Sequence, residues 1–244
     1  MKKAVLLSVV FLTMILTTGC IKCSYDIEID KDNNISVSET KAIDISKIDS
    51  DDVFEDINNN LDKNKSKLEE LGYEVALYDE NDYKGLTQKK VYKLDKFYNV
   101  DLPKGFEANT KKTIRVKSVF GIKDVYTIDW NYSFRNAIEQ NLSKYDTEDI
   151  DLNAEKMTEI YESQPKAELV IKVPYKVVQN NATSVVGGKE LHWNLIDEKN
   201  DNVHILLKYE KYNQNAIIGF LALIIAAVGF IILNKVLKRD DVVY

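Results

Sequence analysis

Side chains suited to acid–base chemistry or metal binding are scarce in this chain. Among its 244 residues there are two histidines, His192 and His204, and both lie in segments typical of late β-strands. A catalytic zinc site needs three protein ligands and second-shell support. Mirroring the two segments about the turn at 197–202 places His192 opposite a residue near Leu207, so the histidines do not pair. We predict no metal site and no catalytic role for either histidine.

The longer signatures of catalysis are also missing from the sequence. It has no G-x-S-x-G, no P-loop, no G-x-G-x-x-G and no H-E-x-x-H motif. Asp30, Asp32 and Asn34 mimic the opening of a calcium loop, but Ile35 stands where Gly is needed and Lys41 where the bidentate Glu belongs. The sequence therefore predicts no cofactor, no catalytic residues and a non-enzymatic protein.

Cys20 is the residue whose context predicts a chemical modification. Two lysines precede an apolar segment, 4–15, which has the length of a secretory signal and leads into Leu16-Thr17-Thr18-Gly19-Cys20. A small residue directly before Cys is what a lipoprotein signal peptidase requires. Thr17 stands where such lipoboxes usually carry Leu, so an uncleaved anchor or ordinary cleavage nearby are the alternatives. We predict that residues 1–20 are a lipoprotein signal peptide and that Cys20 is lipidated.

Cys23 is the second of the two cysteines. It is a lone thiol if Cys20 is acylated, and otherwise completes a C-x-x-C pair, whose redox use would need a thioredoxin-like βαβ context that the sequence lacks. Two cysteines also exclude a disulfide-stapled scaffold, so an exported domain of this size must rely on its own core.

A second apolar segment lies near the C-terminus. Residues 216–233 carry no charge, and at 1.5 Å rise per residue they span roughly 27 Å, enough for a bilayer core. Three basic residues follow: Lys235, Lys238 and Arg239. The positive-inside rule then places the tail, 236–244, in the cytoplasm and residues 21–211 outside. No LPxTG-type motif precedes the segment, so we predict a transmembrane helix within 212–235 and a cell-membrane location.

The net charge of the segment between the two apolar stretches limits the classes of molecule that it can bind. The chain has 33 basic and 39 acidic residues. Removing the five basic and two acidic residues in the flanks leaves 28 against 37, a net charge of −9. Such a surface does not favour nucleic acid or anionic headgroups by bulk electrostatics, although a local basic patch is compatible with it. The partner that the two apolar segments predict is the membrane itself.

Apolar periodicity predicts the fold class. Polar and apolar residues alternate over 25–29 and again over 35–40, with turn residues between them, which predicts a β-hairpin. One apolar face over 49–71 predicts an amphipathic helix, and a helical insertion is predicted near 134–164. Most other segments are short strands joined by tight turns. We predict an α+β fold, with a mainly antiparallel curved sheet packed by the amphipathic helix and one C-terminal transmembrane helix.

Several short segments between residues 20 and 234 carry a resemblance to a known family. They are Cys20, Ile27-Glu28-Ile29-Asp30-Lys31-Asp32, Gly72-Tyr73-Glu74-Val75, Asp82-Tyr83-Lys84-Gly85, Phe120-Gly121-Ile122-Lys123-Asp124-Val125-Tyr126-Thr127, Val173-Pro174, Asn180-Asn181-Ala182 and Leu191-His192-Trp193-Asn194-Leu195. In this order they resemble the LppM-type bacterial lipoproteins, a family otherwise described as a domain of unknown function. The imperfect lipobox and the long 134–164 segment depart from the family pattern.

The resemblance implies an α+β domain on the outer membrane face, binding of a hydrophobic or lipid ligand, and no established enzymatic activity. It supplies no catalytic residues. Asn181 and Trp193 are the candidates for lining a ligand groove, with turns and packing as their alternative role. The predicted function is a membrane-tethered, non-enzymatic domain that binds a lipid or hydrophobic envelope ligand. The alternatives are an envelope scaffold protein without a small ligand and a cell-envelope hydrolase.

These functions predict different features of the fold. Ligand binding predicts an unfilled cavity between helix 49–71 and the sheet. A scaffold predicts a fully packed core with an exposed aromatic patch. An enzyme predicts a cleft with converging carboxylates and a perturbed pKa.

Overall fold

The computed structural model describes residues 21–32, 34–47, 51–93, 102–108, 114–118, 121–142, 161, 165–196 and 201–240. The predicted signal peptide and Cys20 lie outside these residues. So does most of the helical insertion predicted near 134–164, where the described part is a helix over Phe134–Leu142.

The described residues form twelve strands and three α-helices. The strands are β1 (Ile21–Ile29), β2 (Asn34–Asp44), β3 (Glu74–Glu80), β4 (Tyr83–Lys93), β5 (Phe106–Ala108), β6 (Ile114–Lys117), β7 (Lys123–Ser133), β8 (Lys166–Lys172), β9 (Lys176–Asn180), β10 (Ser184–Val186), β11 (Glu190–Asn194) and β12 (Asn202–Tyr212). The helices are α1 (Asp51–Glu70), α2 (Phe134–Leu142) and α3 (Gln214–Asp240), with a 3-10 turn at Ile45–Lys47.

The strands divide between two sheets. Sheet 1 has the order β10-β11-β8-β1-β2-β4-β3, and sheet 2 has the order β5-β7-β12-β9 with β6 also paired to β7. Every pairing is antiparallel except that of β1 with β8. The predicted α+β class with mainly antiparallel pairing is confirmed. The strands form two sheets where the sequence predicted one curved sheet.

The pairing predicted for the two histidine-bearing strands is wrong. β11 pairs with β8 and β10 in sheet 1, whereas β12 pairs with β7 along all eleven of its residues in sheet 2. The chain between them therefore crosses from one sheet to the other instead of closing a hairpin. A full-length partner strand satisfies more backbone groups of β12 than the short β11 can.

The inner faces of the two sheets form one hydrophobic core. Alternate residues along each strand point into it, as expected for sheets packed face to face. They include Tyr25, Ile27, Ile29, Leu169, Ile171, Leu191 and Trp193 from sheet 1 and Tyr126, Ile128, Trp130, Tyr132, Ile205, Leu207 and Tyr209 from sheet 2. The residues between them point outward, so each strand presents one set of side chains to the core and the other to the opposite face.

The amphipathic helix α1 lies at one edge of sheet 1, against β3 and β4. Ile57 anchors it, with 2% of its surface exposed. The helix ends where the sequence predicts, because Gly72 adopts a φ of 80° and its N–H donates to the Glu69 carbonyl at 2.9 Å. The helix therefore protects an edge and leaves the middle strands to pack on sheet 2.

α3 follows β12 with a single residue between them. Asn213 donates its N–H to the Ile122 carbonyl at 2.8 Å, and its side-chain oxygen accepts from the Ala216 N–H at 3.2 Å, which caps the helix. Gln214–Lys235 is long and apolar enough to cross a membrane, with a mean hydropathy of 3.0 over its most apolar window and none of that window buried. The helix therefore begins directly at one end of the domain.

Candidate ligand groove

A groove of about 570 Å³ opens at the end of sheet 1 where β1 and β8 begin and β11 ends. Its apolar lining consists of Tyr161, Pro165, Ala167, Trp193 and Ile196. Polar and charged side chains surround these residues, among them Lys22, Ser24, Lys166, Glu168, Thr183, Ser184, His192 and Asn194. This groove is not the cavity predicted between helix 49–71 and the sheet, because no residue of α1 lines it.

The alternation of the strands explains why the groove has two kinds of wall. On β8, Ala167 is buried in the core, while its neighbours Lys166 and Glu168 are exposed. On β11, Trp193 belongs to the core and His192 lies on the opposite face. A groove at the end of the sheet is therefore lined by apolar side chains from the inner face and by charged side chains from the outer face.

His192 is held between two carboxylates at the rim of the groove. Its Nδ1 lies 2.7 Å from Oε1 of Glu168, and its Nε2 lies 2.9 Å from Oε1 of Glu190. The hydrogen bond to Glu168 and, after the opposing effect of desolvation, the bond to Glu190 raise the pKa of His192 above its ordinary value. The two carboxylates favour the protonated form of the His192 ring and hold the ring in one position.

Two lysines make a second charged part of the rim. Lys22 donates from Nζ to the Tyr78 hydroxyl at 2.5 Å and lies 4.8 Å from the centre of that ring. Lys166, beside Lys22 in the β1–β8 register, lies 5.4 Å from the centre of the Tyr83 ring. The tyrosines hold both ammonium groups on the outer face of sheet 1, next to the groove.

Asn181 and Trp193, the residues predicted to line a ligand groove, are joined to each other. The Trp193 indole N–H donates to the Asn181 side-chain oxygen at 2.9 Å, and that oxygen also accepts from the Leu206 N–H at 2.7 Å. The Asn181 amide nitrogen donates to the His204 carbonyl at 2.8 Å. Trp193 lines the groove and Asn181 lies behind it, linking sheet 1 to β12. Contact of either residue with a ligand remains a prediction.

The other candidate residues of the sequence either lie away from the groove or are held in an unreactive state. His204 lies on sheet 2, where its Nε2 is 3.3 Å from Oδ1 of Asp129. Cys23 lines the groove, but burial raises the pKa of its thiol to about 11, which keeps it protonated and unreactive at neutral pH. Within the described residues no cluster of three or more His, Cys, Asp or Glu side chains is arranged to hold a metal ion.

In the turn that mimics a calcium loop, the Asp30 carboxylate accepts hydrogen bonds from within the turn. Asp30 accepts hydrogen bonds at 2.8 Å from the backbone N–H groups of Asp32 and Asn34 and from the Asn34 side chain. These bonds lower the pKa of Asp30 below its ordinary value, with the Asn34 side chain as the main cause. The local geometry is that of an Asx-stabilised hairpin turn.

The sequence did not point to Glu168, Lys22 or Lys166 as members of the site. Each is a charged residue in a polar–apolar alternation, which describes a solvated strand face equally well. The parallel pairing of β1 with β8 brings them together across more than a hundred residues of chain. A local pattern contains no sign of that pairing.

Comparison with known proteins gives a limited result. No protein-family model and no curated protein matches the sequence. Among solved structures, the NMR structure of the folded domain of Mycobacterium tuberculosis LppM is similar, with a TM-score of 0.43 and 12% sequence identity over 81% of this chain and 93% of that one. Membership of the LppM family stays a hypothesis.

Proposed function

We propose that this protein is a membrane-tethered, non-enzymatic domain on the extracytoplasmic side, and that its groove binds a lipid or another amphiphilic envelope molecule. The observation that carries the proposal is the composition of the groove. An apolar floor that includes Trp193 and Ala167 lies directly beside a rim that bears lysine, glutamate and histidine side chains. Ligand sites of this kind combine apolar burial with a few placed polar groups.

The two walls match the two parts of an amphiphile. An acyl or isoprenoid chain lying over the half-buried Tyr161 and Ile196 would remove more of their apolar surface from water, which is worth about 25 cal/mol per Å². A polar or anionic headgroup at the rim would lie near Lys22 and Lys166. Hydrogen bonding to the headgroup then fixes which end of the ligand enters the groove.

The tethers complete the proposal. Lipidation of Cys20 would place acyl chains one residue before β1, and α3 would cross the membrane, leaving the tail 236–244 in the cytoplasm. A single acyl chain binds membranes reversibly, but the diacylglyceryl group on a lipidated cysteine carries two chains and anchors more stably, and a spanning helix is effectively permanent. The spanning helix retains the protein, and the acyl chains add a second point of attachment.

The groove geometry disfavours the hydrolase alternative. A histidine acting as general base must be neutral and must face a nucleophile. Both ring nitrogens of His192 instead contact carboxylates, and its raised pKa favours the charged form. The scaffold alternative predicts a chain that binds no lipid at the groove, which the following experiment tests.

Photo-crosslinking of a diazirine-bearing phospholipid to the full chain in membranes tests the proposal. We expect labelled peptides to come from the groove walls, around Lys166 and Trp193. Ser24→Trp places a bulky ring in the groove and should suppress the labelling. Ser36→Trp, the same change on the same face of sheet 1 near the other end of β1, is the matched control and should leave it intact. Labelling that is unaffected by Ser24→Trp would contradict the proposal.

A further inference from the structure

The two proposed tethers leave the domain at opposite ends. β1 begins at Ile21, and its nine residues extend for about 30 Å. At the far end of β1, the Tyr175 hydroxyl donates to the Asp30 carbonyl at 3.3 Å, and the Tyr175 ring stacks on Tyr209 with centroids 5.7 Å apart. Tyr209 lies near the end of β12, where α3 begins. Ile21 and the first turn of α3 are therefore separated by about the length of a strand.

One edge of the domain is free of charge over part of that length. Residues 177–188 contain no Asp, Glu, Lys, Arg or His, although 30% of the whole chain is charged. They form most of β9, the edge strand of sheet 2, and all of β10, the edge strand of sheet 1. Val178, Val185 and Val186 are 41%, 45% and 58% exposed. We call residues 177–188 the uncharged edge.

We propose that the uncharged edge lies on the bilayer surface, with the strands running along the membrane plane. This inference rests on the proposed double tether. If the domain stood upright on α3, the acyl chains of Cys20 would be held about 30 Å from the bilayer, because no linker separates Cys20 from β1. Only a domain lying lengthwise brings both tethers to one membrane.

The charge distribution selects this side of the domain for the contact. The segment 21–211 has a net charge of −9, and anionic lipids in a bilayer repel such a surface. An uncharged edge with exposed valines avoids that repulsion and places apolar side chains at the interface. Both edge strands are short, at five and three residues, which limits their value as templates for pairing with another chain.

The contact also gives the groove access to lipid. Thr183 and Ser184 belong to the uncharged edge and line the groove. With the edge on the bilayer, the groove opens beside the headgroup layer, so a lipid can enter from the membrane without crossing bulk water. The inference thus adds a route of entry to the proposed function.

Tryptophan fluorescence in liposomes of brominated phosphatidylcholine tests the orientation with the full chain. Val186→Trp probes the uncharged edge near α3. Gln179→Trp probes the uncharged edge on β9. Gln179 pairs with Lys208 of β12, which lies four residues, or about 13 Å, from Tyr212. Leu77→Trp is the control, because Leu77 is 53% exposed on β3, the opposite edge of sheet 1. The native Trp130 and Trp193 are buried, and each variant is compared with the unsubstituted chain in the same liposomes, so that quenching of Trp193 by a lipid in the groove is subtracted.

We expect a blue shift and loss of emission at positions 179 and 186 and neither change at position 77. Absence of quenching at both positions would mean that the uncharged edge does not touch the bilayer and would overturn the inference. Absence of quenching at both positions, together with chemical crosslinks between two copies through β9 or β10, would assign the edge to self-association and also overturn it. The mass of the N-terminal peptide is measured separately, so that an unacylated Cys20 refutes the double tether independently of the quenching pattern.

Discussion

Asn181 shows how one polar side chain can hold two sheets in place. Its side-chain oxygen accepts from Trp193 of sheet 1 and from the backbone of β12 in sheet 2, and its amide donates to the His204 carbonyl. Trp193 is 2% exposed, so its indole N–H has little access to water as an alternative partner. The position of Trp193 in the wall of the groove therefore depends on Asn181.

Asn181→Ala should lower the free energy of unfolding by about 2–4 kcal/mol, because it removes three hydrogen bonds and leaves a buried indole N–H unpaired. Urea denaturation of the detergent-solubilised chain, followed by tryptophan fluorescence, measures the change. Gln179→Ala, on the same edge, is the control and should change stability little. Equal stability of the two variants would show that the Asn181 bonds contribute no net stability.

The His192 cluster should make stability depend on pH. Its folded-state pKa is raised above the ordinary value of 6.5 by Glu168 and then Glu190. A raised pKa means that the stabilisation is fully present below pH 6.5 and is lost as the pH rises through the folded-state pKa. Unfolding curves measured across this range should show the loss in the wild type and a flatter profile in His192→Asn. A wild-type stability that rises through the same range would contradict the assigned ion pairs.

At the scale of elements, the sequence predicts the strands and helices that have local signals. The hairpin of β1 and β2 and the helix α1, which ends before Gly72, were both predicted from periodicity and turn residues. β9 was missed because Val177 and Val178 are followed by a polar run without alternation. The division into two sheets depends on pairings distant in sequence, which no local pattern specifies.

Gly85 lies where two strands pack too closely for any side chain. It lies within β4 opposite Ala42 of β2, and a Cβ there would be 2.0 Å from the Lys41 carbonyl oxygen and 2.6 Å from the Ala42 Cα. Both contacts are with backbone atoms, so no side-chain movement relieves them. A glycine is therefore required at this position for β2 and β4 to approach each other.

Gly85→Ala should destabilise the domain by about 2–3 kcal/mol or more, since the added methyl forces two backbones apart. Thermal unfolding followed by circular dichroism measures the effect. Gly219→Ala, where an added Cβ meets nothing within 4 Å, is the matched control and should leave the melting temperature unchanged. An unchanged melting temperature for Gly85→Ala would mean that β2 and β4 are less closely paired than the structure shows.

The groove lies in a place that the sequence did not indicate. Trp193 was a candidate groove residue through the family resemblance, and it does line the groove. The cavity expected between helix 49–71 and the sheet stays a prediction, whereas this groove forms where β1 and β8 begin and β11 ends. The parallel β1–β8 pair creates that end, and parallel pairing depends on a long crossover that is invisible to local analysis.

For the whole molecule, the structure relates the groove, the uncharged edge and the two tethers. Replacing residues 1–20 by a cleavable signal peptide that lacks a lipobox cysteine should remove acylation, while α3 keeps the chain in the membrane fraction. With one tether lost, bromolipid quenching at Gln179→Trp should fall towards that of Leu77→Trp. Membrane fractionation and the same liposome fluorescence measure the two effects. Loss of this unacylated chain from the membrane fraction would contradict the assignment of α3 as a spanning helix.

Native mass spectrometry of the full chain, released from detergent after purification from its own membranes, tests ligand binding most directly. We predict an added mass on the wild-type protein that extraction identifies as one class of lipid or lipid-linked molecule, and its loss in Ser24→Trp but not in Ser36→Trp. A protein without added mass, which stays so after incubation with envelope lipids, would contradict the proposal that the groove is a lipid-binding site.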